Sequence, residues 1–263
     1  AVALAYFWYV RGYTKEGSGI LEDILSRAEE QLEPQLHIQL LHSAGMMALG
    51  HGDYLLAKRR YEQKLELARH SGDWDGVERA LGNLGIIASS LGDFATARSY
   101  YEQSLELVQR PQQTGAHATF LIKLGSVAFG QGESAAAESF FRQSLQLKES
   151  VGDPNGIAIA ASNLGRLACA RGDYEAAKPL LERALVVAES IGDTRTMTSA
   201  MHELGIVAVR QGDSRLAALH FQRSLDVALA HAEKALLLEV LRSFIEFESM
   251  CGSLERAAVL WGF

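Results

Sequence analysis

Apolar positions recur along this chain at helical spacing, in two runs per forty residues divided by short polar breaks. Around the second break, Leu84 and Ala88 precede it and Ala97, Tyr101 and Leu105 follow it, each spaced by four within its run. That spacing stacks side chains on one face of a helix. Glycine marks the breaks at Gly12, Gly52, Gly92, Gly132, Gly172, Gly212 and Gly252, each 40 residues from the next without a gap. The residue before the glycine changes freely and an acid usually follows. Glycine takes the left-handed conformation that ends a helix, and Asp53, Asp93, Asp173 or Asp213 then accepts a backbone N–H as N-cap of the next. Each period thus predicts a helix of roughly 14 to 17 residues, a turn, a second helix of similar length and a polar loop. No strand pattern and no Pro/Ser-rich linker interrupts the series. Arg171-Gly172-Asp173 spells a tripeptide that acts as an adhesive ligand on exposed loops. The register assigns it to the turn column and leaves Arg171 incidental.

Further columns keep the same period. A glycine of the first helix stands twelve residues before an alanine of the second: Gly45 with Ala57, Gly85 with Ala97, Gly125 with Ala137, Gly165 with Ala177 and Gly205 with Ala217. Four residues after each alanine comes a bulky side chain, Tyr61, Tyr101, Phe141, Leu181 or Phe221, and four further on Leu65, Leu105, Leu145, Leu185 or Leu225. Two antiparallel helices can approach closely where a bare residue on one makes room for a ring on the other. Leu84, Gly85, Ala88, Ala97 and Tyr101, with the paired helices around Gly92 and Asp93, resemble the tetratricopeptide repeat in a 40-residue form. The resemblance implies an all-α fold: a right-handed superhelical solenoid of antiparallel helix pairs, about six and a half repeats, occupying residues 1–263 as a single domain whose inner surface is lined by first helices. The pattern departs at Gly17, where alanine is expected, at Ile245, where glycine is expected, and at Pro111-Gln112, which replaces the loops Gly72-Asp73, Gly152-Asp153 and Gly192-Asp193.

The formal net charge is −7, and no run of five or more Lys/Arg occurs, which argues against a nucleic-acid partner. Cys169 and Cys251 stand far apart, so no disulfide framework or thiolate metal site is indicated and a reducing, cytoplasmic setting is expected. The opening AVALAYFWYV is too short to cross a bilayer, which takes about 20 residues. It is expected as a buried helix, packed on a preceding domain of a longer protein or in an oligomer contact. A second resemblance enters here. FWYVRGYTKEGSGILEDILSRAEE and the ending GSLERAAVLWGF are similar to the repeat region that follows the nucleotide-binding module in bacterial signal-transducing ATPases, including LuxR-family and MalT-like transcriptional regulators. The matching residues are Trp8, Gly12, Glu16 and Gly17 at one end and Glu255, Arg256, Ala257, Leu260, Trp261 and Gly262 at the other. The resemblance implies a sensor or arm that contacts an upstream ATPase domain and exchanges that contact for an inducer.

Candidate chemistry is sparse. No GxxxxGK[ST] loop occurs, His202-Glu203 lacks the second histidine of a zinc helix, and His37 and His42 are five apart, off the ladder that puts two ligands on one face. No serine has a histidine and an acid at meaningful spacing, so no enzyme, cofactor or metal is expected. The inner surface carries Ser43, Asn83, Lys123, Asn163 and Glu203, again 40 apart, with Arg79 four residues before Asn83 and Arg166 three after Asn163. An asparagine amide offers donors and an acceptor to an extended peptide backbone, and Lys or Arg meets a carboxylate. The candidate groove residues are therefore Arg79, Asn83, Lys123, Asn163, Arg166, His202 and Glu203. The first reading is a non-catalytic module that binds protein or peptide in its concave groove; the second is a sensor for a sugar or metabolite.

Overall fold

The computed structural model describes residues 2–28, 33–108, 114–230 and 234–250. Among them are thirteen α-helices and no strand: α1 (Val2–Val10), α2 (Thr14–Ala28), α3 (Pro34–Gly50), α4 (Tyr54–Ser71), α5 (Trp74–Ser90), α6 (Phe94–Leu107), α7 (Thr114–Gly130), α8 (Ser134–Val151), α9 (Pro154–Ala170), α10 (Tyr174–Ile191), α11 (Thr194–Arg210), α12 (Ser214–Ala230) and α13 (Lys234–Met250). The fold is an all-α repeat solenoid, and it divides into two compact units, residues 1–113 and 114–263.

Helix boundaries follow from the turn columns. Gly12, Gly52, Gly92, Gly132, Gly172 and Gly212 all have positive φ, as do Gly72, Gly152 and Gly192 in the loops between pairs. The aspartates cap as expected: Oδ1 of Asp53, Asp93, Asp173 and Asp213 accepts the amide of the residue three ahead at 2.9–3.1 Å. Asp73, Asp153 and Asp193 cap α5, α9 and α11 in the same way. The predicted turns at Pro111-Gln112 and Gly252 lie outside the described residues.

Helix pairs close on the glycine column. A Cβ added to Gly85 would stand 2.3 Å from the Tyr101 ring, one on Gly125 2.5 Å from Phe141, and one on Gly165 2.5 Å from Leu181. Those bulky partners are among the most buried side chains of each unit, Tyr101 at 3%, Phe141 at 1% and Leu181 at 0% exposure. In the first unit Tyr61 and Leu65 of α4 pack with Leu81, Leu84 and Ile87 of α5. In the second, Leu181 and Leu185 of α10 pack with Met201 and Leu204 of α11. The departure at Gly17 has a local reason: a Cβ there would meet the Trp8 ring at 3.0 Å and the Met47 sulfur at 3.1 Å.

Within this chain the first helix encloses Ala5 and partly Trp8, and leaves Leu4, Tyr6, Phe7, Tyr9 and Val10 exposed. Its apolar circumference exceeds the surface that α2 and α3 offer it. One expectation requires correction: Arg171 is not incidental. Its guanidinium pairs with Glu138 of α8, and Nη2 donates to the Ser134 carbonyl at 2.6 Å, so the turn tripeptide is fastened to the preceding repeat. Similar bridges join second helices one period apart, Arg183 to Glu149 at 2.5 Å and Arg223 to Glu189 at 3.0 Å.

Candidate functional site

The seven predicted groove residues fall in both units. Lys123, Asn163, Arg166, His202 and Glu203 belong to the second. There the first helices α7, α9 and α11 lie in succession, and the residues two before each glycine of the column share one register. Asn163 and Arg166 meet directly: Arg166 Nη2 donates to Asn163 Oδ1 at 3.1 Å. The guanidinium carbon also lies 5.2 Å from the centroid of the Phe129 ring of α7, a cation–π distance. Its Nε is buried and has no hydrogen-bond partner among the described residues. Lys123 holds its ammonium 5.7 Å from the Phe120 centroid on its own helix.

His202 and Glu203 are not on an open surface. They are 4% and 6% exposed, and His202 Nε2 lies 2.9 Å from Ser243 Oγ of α13. Helix α13 covers this end of the register. Glu203 lies beside Cys169, whose thiol is pushed up to about 12 by burial, with the nearby Glu203 carboxyl adding to the effect. A thiol held that high is not a nucleophile at neutral pH. The matching residues predicted between Glu255 and Gly262 lie outside the described residues.

Arg79 and Asn83 belong to the first unit. Asn83 Nδ2 donates to the Arg79 carbonyl one turn earlier at 2.8 Å, so its amide is turned along its own helix. Arg79 lines a cavity shared by α3, α4 and the start of α5, together with Ile38, His42, Ser43, Lys64 and Asp73. Lys64 escaped the sequence reading, and His42 entered it only as a metal-ligand candidate beside His37. The signal available was positional: the column holding Lys64 otherwise reads Ser104, Ser144, Ala184 and Ser224. Among the described residues no three His, Cys, Asp or Glu come close enough to hold a metal ion, and no helix is long and apolar enough to cross a membrane.

Paired helices meeting at glycine, repeated every 40 residues with a polar register on the first helices, define a helical repeat scaffold. The tetratricopeptide-repeat family model matches residues 36–110, 116–190 and 156–230, and the chain belongs to that family, a generally non-catalytic interaction fold. No curated protein matches the sequence. Among solved structures, NprR in complex with its cognate peptide NprX is 15% identical with a TM-score of 0.74, covering 98% of this chain and 76% of that one. A Rap protein complexed with competence and sporulation factor is 16% identical with a TM-score of 0.72, covering 93% of this chain and 77% of that one. A signal-transduction ATPase with numerous domains and a tetratricopeptide-repeat sensor, from Pyrococcus horikoshii, is 14% identical with a TM-score of 0.73 and covers 99% of this chain and 40% of that one.

Proposed function

We propose that the chain is a non-catalytic module that captures an extended peptide or protein segment on the first helices of its second unit. The observation that carries this reading is Arg166. Asn163 and the Phe129 ring fix its guanidinium, while Nε retains an unmet donor. A guanidinium held on both sides loses little freedom when it meets a peptide carbonyl or a carboxylate, and such a charge-assisted bond is stronger than a neutral one. Lys123 supplies a second positive charge in the same register, and Ile122 and Phe129 the apolar contact of a mixed interface. Structures of the same fold that hold peptides, NprR with NprX and Rap with its competence and sporulation factor, support the ligand class.

The wider setting proposed is a bacterial regulator of the signal-transducing ATPase type, MalT-like in organisation, with the repeats in contact with an upstream ATPase domain. The Pyrococcus horikoshii ATPase supports the pairing of such a repeat fold with a signal-transducing ATPase, whereas the MalT-like organisation and the ATPase contact rest on the sequence resemblance.

Display selection of random peptides on the 263-residue chain tests the capture reading. Peptides selected by the wild type are expected to lose at least about tenfold in affinity on Arg166→Ala, the 1.4 kcal/mol within reach of one charge-assisted hydrogen bond. Asn163→Ala is expected to give a smaller loss, with helicity unchanged in both variants. Failure to select any peptide, or equal affinity in Arg166→Ala, overturns the reading.

A further inference from the structure

The same corner of the fold occurs in both units, and it is filled differently. In the second unit α7, α8 and the start of α9 enclose Lys148, which is 5% exposed. Its ammonium donates to the Gly115 carbonyl at 2.9 Å, to Thr119 Oγ1 at 3.0 Å and to Asp153 Oδ2 at 2.8 Å. One turn earlier, Ser144 donates to the Ala118 carbonyl at 2.7 Å. The Lys148 ammonium and the Ser144 hydroxyl thus both have partners, and the Lys148 stem occupies the space against Gly156, where an added Cβ would lie 2.3 Å from it.

Two periods earlier the corner is built from α3, α4 and the start of α5. Ala68 stands where Lys148 does, and Lys64 stands where Ser144 does. The lysine has moved back by one turn. Gln35 and Gln39 replace Gly115 and Thr119, and Asp73 keeps the place of Asp153, capping Gly76 through Oδ1 as Asp153 caps Gly156. The result is a cavity of about 290 Å³ whose charged and polar lining includes Gln35, Gln39, His42, Lys64, Asp73, Asp75 and Arg79. Lys64 is 2% exposed and lines the cavity, where the carboxylates of Asp73 and Glu78 attract its ammonium without the carbonyl and hydroxyl acceptors that Gly115 and Thr119 give Lys148. Nδ1 of His42 is buried there without a partner. Burial pushes Lys64 down to about 8 and His42 down to about 4; Arg79 adds to both and Lys64 to His42, while the Asp73 and Glu78 carboxylates pull Lys64 back up.

A buried ammonium is costly unless it is fully hydrogen-bonded, and the chain already contains, at Lys148, the arrangement that does so. The opened corner therefore has the signature of a binding site. Its charges select the ligand. Lys64 and Arg79 oppose a bare cation, Asp73 and Asp75 oppose a bare anion, and the two pairs together suit a molecule carrying both signs. The volume sits at the low end of ligand sites, about 300–1,000 Å³, which limits the guest to a few heavy atoms. We infer that this cavity binds a small zwitterion of the α-amino-acid class, its carboxylate on Lys64 and Arg79 and its ammonium toward Asp73 and Asp75. The site uses the second helix α4 and lies in the first unit, so it stands independently of peptide capture through Arg166.

Isothermal titration of the full chain with proteinogenic L-amino acids, one at a time, tests the assignment. At least one is expected to bind saturably, and its amide and its N-acetyl derivative, each lacking one charge, at least about tenfold more weakly, a difference of 1.4 kcal/mol. Lys64→Met keeps the stem and removes the ammonium; Arg79→Ile installs the residue found two periods later, Ile159. Both are expected to abolish binding while circular dichroism stays that of the wild type. The inference is overturned if no amino acid binds, if Lys64→Met binds as the wild type does, or if acetate or inorganic phosphate binds as tightly as the amino acid. Arg166→Ala is expected to leave amino-acid binding unchanged, which separates this result from the fate of the peptide reading.

Discussion

Lys64 shows how one side chain sets both a recognition property and a stability cost. Without ligand its ammonium is buried at a cost that the Asp73 and Glu78 carboxylates offset only in part, so Lys64→Met, which preserves most of the volume, is expected to raise the unfolding free energy at pH 7 by about 1–3 kcal/mol. Chemical denaturation measures it. The pH dependence carries the same sign. Lys64 titrates near 8 when folded against an ordinary 10.5, so between those values the unfolded chain binds more protons and stability rises with pH. That alkaline rise is expected to vanish in Lys64→Met. His42 titrates near 4 when folded against an ordinary 6.5, so its contribution is intact above 6.5 and is lost as pH falls toward 4. Little of this was legible in the sequence. A lysine in a column of serines was visible, but both Lys64 and Lys148 are buried, and only their three-dimensional surroundings set the two apart.

At the scale of the helix pair, the contact between first and second helices was largely legible, because the glycine and the bulky residue sixteen positions on repeat in step. The coordinates add the tolerance. Gly85→Ala places a methyl 2.3 Å from the Tyr101 ring, so the ring or the helix must shift. The expected loss is about 1–3 kcal/mol, read from the urea midpoint at unchanged slope. Gly92→Ala meets no atom within 4 Å but sits at a φ of 79°, and its cost is therefore one of backbone strain rather than packing. The ion pairs between successive second helices were not legible. Arg183 and Glu149 are 34 positions apart and both look like solvated surface charges until the repeats are stacked. The burial of His202 was equally hidden, since it depends on Ser243 and α13, where the register departs from the glycine pattern at Ile245.

For the whole chain, stability in a repeat protein is set by neighbours, and its distribution follows from how many neighbours each helix has. Helix α1 keeps Leu4, Tyr6, Phe7, Tyr9 and Val10 exposed, whereas Ala158, Ala160, Ala161, Leu164 and Leu167 of α9 are all buried. Hydrogen exchange is expected to be fastest through α1 and slowest through α9, and equal protection in the two would show that α1 is held by contacts not seen in this chain. The apolar circumference of α1 was readable from AVALAYFWYV; that the rest of the chain leaves most of it uncovered was not, because composition fixes what a segment prefers to bury and not whether a surface is there to receive it.

The displacement of a lysine by one turn between these two corners has an evolutionary consequence. Because the two corners are walled by corresponding helices in the same order, they differ by side chains alone, Lys64 and Ala68 for Ser144 and Lys148, with Gln35, Gln39 and Arg79 for Gly115, Thr119 and Ile159. A chain of this kind can acquire or discard a ligand one chamber at a time, with the neighbouring chambers left as they were.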